Sequence, residues 1–125
     1  MLKVAIVGCG GISRSHLNSW KQIPEAKIVG ACDVRAEKYQ VFVDETGCNG
    51  YLDFSAMLRR EKPDIVDICL PTYLHADYAV KALKHGCHVL TEKPISLKMR
   101  DVDRVYSAAR RANRRVMVAQ VLRFW

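Results

Sequence analysis

The chain has 125 residues, half of them hydrophobic and 26% charged, with a formal net charge of +7. That length supports a single domain able to bury roughly two-thirds of its unfolded surface, and the composition excludes a disordered chain. No apolar run approaches the ~18 residues that a membrane span needs, and "MLKVAIVG" passes straight into a strand pattern without a secretory cleavage signal. The five cysteines (Cys9, Cys32, Cys48, Cys69 and Cys87) are odd in number and none has zinc-hairpin spacing, so they read as reduced, mostly buried residues of a cytoplasmic protein without a metal site.

Apolar β-rich runs alternate with helical patterns from end to end, the signature of a parallel sheet covered on both faces. In chain order the pattern predicts strands over 2–7, 27–32, a short one near 50–51, 65–70, 87–91 and 116–120, with helices over 11–23, 35–46, 53–61, 75–85 and 97–113. Pro24, Gly47, Pro63 and Gly86 follow or close the first four helices, and Asp53 and Ser96 read as N-caps of the third and last. Six strands in this order make an α/β doubly wound sheet of two mononucleotide-binding halves, with strand order 3-2-1-4-5-6. The closing "VLRFW" is an apolar end expected to pack on something.

Residues 98–123 hold eight basic residues against Asp101 and Asp103, so most of the positive excess sits on the last helix and its flanks. Basic residues near a helix C-terminus complement its dipole, and Tyr106, at helical spacing with the apolar residues, is the lone aromatic among the arginines, where stacking on nucleic acid would require a series. The segment therefore reads as a solvated helix face.

The first strand runs into "GCGGIS". Gly8 suits the tight turn of a dinucleotide fingerprint and Gly10 the close approach of a pyrophosphate, while Ser13 holds the third position, where a small residue is needed. The N–H groups of Gly11 and Ile12 would open the helix toward phosphate. Asp33 follows the second strand, 20 residues after Ser13, where a carboxylate can accept both hydroxyls of an adenosine ribose. A 2′-phosphate ~4 Å from that carboxylate would cost up to ~4 kcal/mol at an effective dielectric of about 20, which favours NAD over NADP. Arg35 is placed to bind a phosphate and blunt that preference. Leu70, Pro71, Thr72 and Tyr73, after the fourth strand, border the other wall of the crevice, and His75, at the start of the next helix, either contacts the cofactor or serves to cap or pack. "TEKP" leaves Glu92 and Lys93 at the same carboxyl edge.

Together "VGCGGIS", "CDVR", "LPTYLHADYAVKALKHGCHVLTEKPIS" and "QVLRFW" resemble the N-terminal domain of the glucose-fructose oxidoreductase, inositol dehydrogenase and rhizopine-catabolism (GFO/IDH/MocA) family. The most specific part runs from His75 to Pro94. The resemblance implies a dehydrogenase moving a hydride between nicotinamide and a sugar, inositol or related polyol. It places Lys93 on the reacting hydroxyl as the catalytic residue and Glu92 near the nicotinamide ribose. A lysine desolvated by cofactor and substrate can have its pKa lowered enough to join proton transfer. The family continues into a substrate domain through which it tends to form homo-oligomers. The 125 residues are therefore expected to be the cofactor domain alone, inactive by itself. A nucleotide-sensing or scaffold module is the alternative.

Overall fold

The computed structural model describes residues 1–119. The elements alternate as β1 (Leu2–Val7), α1 (Gly11–Trp20), β2 (Ala26–Cys32), α2 (Ala36–Thr46), β3 (Asn49–Tyr51), α3 (Phe54–Glu61), β4 (Ile65–Ile68), α4 (Thr72–Lys84), β5 (His88–Glu92), α5 (Met99–Ala112) and β6 (Val116–Ala119). All six strands pair in parallel in the order β3-β2-β1-β4-β5-β6, as the alternating pattern predicts. Gln120 and the apolar "VLRFW" end lie outside the described residues. Among the described residues no helix is long and apolar enough to cross a membrane.

Alternation along the central strand divides the core in two. Ala5 and Val7 pack with Met57 and Leu58 of α3, Ala79 and Leu83 of α4 and Val105 of α5. Ile6, between them in sequence, joins Leu17 of α1 and Phe42 of α2. Successive side chains of a strand point to opposite faces, so β1 is apolar and buried from Val4 to Val7, where both of its faces are covered.

Local chemistry sets the helix ends. Asp53 caps α3 by accepting the N–H groups of Ser55 and Ala56, each at 3.2 Å. Gly47 closes α2 with φ +75°. Two expectations shift. Ser96 is not the N-cap of α5: its hydroxyl accepts the Lys98 N–H at 3.1 Å and faces Asp101, so it closes a turn ahead of a helix that begins at Met99. The fourth helix begins at Thr72, not at 75, because Pro71, with φ −56°, already stands in the N-cap position and its carbonyl accepts the Leu74 N–H. That change brings the fourth helix's first turn up to the sheet edge.

Candidate cofactor site at the carboxyl edge of the sheet

β1, β2, β4 and β5 run in one direction, so Gly8, Asp33, Leu70 and Glu92 all emerge at one edge of the sheet. Between β1 and β4 the order of winding reverses, the place where open α/β sheets form a ligand crevice.

The turn after β1 is built around Gly8. It has φ +88°, and a Cβ there would stand 2.6 Å from the Cys69 carbonyl oxygen just beyond β4. Gly8 thus lets the two walls of the crevice touch. Gly10 and Gly11 are different, because a Cβ on either would meet nothing within 4 Å. Gly10 is the N-cap of α1 and makes no side-chain cap bond, so the first N–H groups of the helix, including those of Gly11 and Ile12, face outward without a capping side chain. Ser13 is fully buried, and its hydroxyl donates to the Gly10 carbonyl. The third fingerprint position therefore tolerates serine because its one polar group is satisfied within the turn.

Asp33 is tied to this turn. One carboxylate oxygen accepts the Cys9 N–H at 2.9 Å and the other the Arg35 N–H at 2.9 Å. The pairing fixes the carboxylate beside the glycines and leaves lone pairs on both oxygens. Arg35 does not join it: its guanidinium bonds the Glu37 carboxylate at 2.8 Å, with both side chains largely exposed. Burial pushes the neighbouring Cys9 thiol up to about 12, and the Asp33 charge adds to the effect.

On the other wall, Leu70 and Pro71 lead into α4, whose first residue is Thr72, and Tyr73 is exposed. His75 is buried, with Nε2 2.6 Å from the Leu70 carbonyl and Nδ1 2.8 Å from the Pro94 carbonyl. Both ring nitrogens are thus used within the protein, so the imidazole stitches the β4 exit to the segment after β5 rather than offering a polar atom to a ligand. Glu92 ends β5, Lys93 is exposed at the edge, and the Lys93–Pro94 peptide is cis.

One group of residues had no place in the sequence reading. Asp67, in the middle of β4, is fully buried. It accepts the Trp20 indole N–H at 2.7 Å and faces His16 Nδ1 at 2.9 Å and the Cys69 thiol at 3.6 Å. His16 reaches onward, with Nε2 2.6 Å from Glu92 Oε1. The signal for it was present: an aspartate inside the apolar run "IVDICL" cannot stay buried without partners. The ligating atoms of His16, Asp67 and Cys69 lie within 4.8 Å of one another. They are already joined by hydrogen bonds, and those bonds account for the cluster without a metal ion.

The glycine turn, its outward N–H groups and the anchored carboxylate fit a dinucleotide. Residues 2–120 match the family described as "Oxidoreductase family, NAD-binding Rossmann fold" (GFO/IDH/MocA). A D-apiose dehydrogenase from Paraburkholderia graminis is 33% identical over 98% of this chain and 33% of its own length. The WlbA dehydrogenase from Bordetella pertussis, solved in complex with NADH and UDP-GlcNAcA, superposes with a TM-score of 0.89 at 30% identity over 94% of this chain and 36% of that one. A 3-ketoreductase from Actinomadura kijaniata, solved with TDP-benzene and NADP, gives 0.85 at 26% identity over 90% of this chain and 36% of that one. The chain spans about a third of the length of these relatives. By its sequence, its sheet order and the geometry of its glycine turn, the chain belongs to the GFO/IDH/MocA oxidoreductase family and is an NAD(P)-binding Rossmann domain of it.

Proposed function

We propose that this domain holds NAD, in preference to NADP, for a dehydrogenase that oxidises a carbinol of a sugar, inositol or related polyol. The observation that carries the reading is the meeting of the open Gly10–Gly11 turn, the anchored Asp33 carboxylate and the Glu92–Lys93 pair at one sheet edge. When bound, the cofactor supplies the nicotinamide carbon that takes the hydride.

Each residue has a share. The outward N–H groups of Gly11 and Ile12 bind the pyrophosphate with the positive end of the α1 dipole. Asp33 accepts the adenosine ribose hydroxyls, and its charge disfavours a 2′-phosphate at that place. Arg35 does little to offset this, because its guanidinium is engaged by Glu37, a second carboxylate beside the site. Leu70, Pro71 and Thr72 line the opposite wall. Glu92 lies toward the nicotinamide ribose, and Lys93 meets the reacting hydroxyl, where as the neutral amine it accepts the hydroxyl proton. The substrate's remaining contacts come from chain outside these residues.

The test is turnover. Expressed with whatever its reading frame encodes beyond Trp125 and assayed with NAD and a panel of polyols, the protein is expected to reduce NAD. Lys93→Ala is expected to abolish turnover, while NADH still binds. Turnover retained in the variant would remove Lys93 from the chemistry.

A further inference from the structure

Among the described residues, Asp67 and His75 are the two acid or imidazole side chains that are almost fully buried. Both lead to the three residues Glu92–Pro94. His75 does so directly, through the Pro94 carbonyl. Asp67 does so through His16, whose ring is held between two carboxylates.

A carboxylate only accepts hydrogen bonds, so an imidazole bonded at both nitrogens to two ionised carboxylates must donate from both and carry a positive charge. The hydrogen bond to Asp67 does most to push the His16 pKa up to about 9; burial opposes it, and Glu92 adds to it. The groups around the ring that titrate are Asp67 on β4, Cys69 just beyond β4 and Glu92 on β5, with the uncharged Trp20 indole on its own helix. An apolar side chain would pack α1 against the sheet at lower desolvation cost than this buried triad. The triad also ends at the ligand edge, for the second oxygen of Glu92 faces the Lys93 backbone N–H at 3.2 Å.

The geometry points to His16 as a positioning residue: anchored on Asp67, its imidazolium fixes the Glu92 carboxylate and, through it, the Lys93 backbone. The inference rests on the reading of Glu92 and Lys93 as the nicotinamide side of the site. It differs from a packing role in what it does to ligands, because only those that reach Glu92 depend on the clamp.

NADH and ADP separate the two, because ADP keeps the adenosine and both phosphates of NADH but lacks the ribose and nicotinamide that reach Glu92. In calorimetry on this chain, His16→Gln and His16→Phe are expected to weaken NADH about tenfold and to leave ADP within about twofold. Glu92→Gln is expected to give the same selective loss, with little added by combining it with His16→Gln. Equal losses for both ligands, or none for either, overturn the inference. A wild-type chain that binds both ADP and NADH but shows no selective loss in the variants overturns it alone, whereas one that binds neither overturns the cofactor reading beneath it. A spectrum of the ¹⁵N-histidine-labelled wild type needs no variant to fold: both His16 nitrogens are expected to be protonated at about pH 8. A bare nitrogen there overturns the inference as well.

Discussion

Two glycines two residues apart do opposite work. Gly8 is demanded by the fold, since a Cβ would meet the Cys69 carbonyl in a backbone conformation that other residues rarely adopt. Gly8→Ala is expected to cost about 2–5 kcal/mol, read as a lowered denaturation midpoint. Gly10, with φ −85° and open space before it, accepts alanine without strain. Gly10→Ala is expected to keep the stability of the wild type and to lose NAD affinity, because in the proposed site the added methyl stands where the pyrophosphate would approach. A Gly10→Ala chain that binds NAD normally would show that the turn serves the fold alone. Asp33→Asn keeps an acceptor for the Cys9 or Arg35 N–H but removes the charge, so NADP affinity relative to NAD is expected to rise about tenfold. An unchanged ratio would remove Asp33 from cofactor choice.

At the scale of elements, the order of strands and helices was legible because most strands are short apolar runs and the first four helices have a stop signal after them. Glycine in the left-handed region after α2 and Asp53 ahead of α3 work as their residue types suggest. Asp53→Ala is expected to lower stability by about 1 kcal/mol, measured by denaturant titration. The misplaced ends share a cause. Ser96 has the chemistry of a cap, yet the hydroxyl of a serine serves a turn as readily as a helix, and only the direction of the backbone decides between them. The start of α4 was hidden because Pro71 breaks a helix pattern and also opens helices. In the site, the glycines and Asp33 follow a spacing fixed by a single βαβ unit, so sequence alone places them at the sheet edge. The His16–Asp67–Glu92 bridge joins residues 51 and 76 positions apart, and no local spacing records such a meeting. His75, expected to start a helix, is the fourth residue of α4, and its burial depends on how α4 seats against the segment after β5.

For the molecule as a whole, the buried bridge links stability to pH. His16 gains its partners on folding, so its pKa rises from the ordinary ~6.5 to about 9. A raised value contributes stability that is fully present below about pH 6.5 and is lost as pH climbs through about 9. The stability difference between wild type and His16→Gln is therefore expected to be largest just below about pH 6.5, to shrink as pH climbs from there and to vanish above about 9. A difference independent of pH would show that the ring is neutral. The five cysteines are free and buried, and burial raises their thiol pKa values, Cys32 to about 12 and Cys87 to about 11. A thiol-specific reagent is expected to label none of them quickly in the folded chain and all five after denaturation. The basic residues of α5 are partly spoken for, as Arg104 pairs with Asp101 and Asp77. What joins these features is a crevice shaped for a dinucleotide, and the direct measurement is a calorimetric titration of NADH into this chain, with Gly10→Ala as the partner sample. Saturable one-to-one binding that the alanine abolishes, while the fold melts at the same temperature, is the expected result. No heat of binding with millimolar NADH, or equal binding by both proteins, would contradict it.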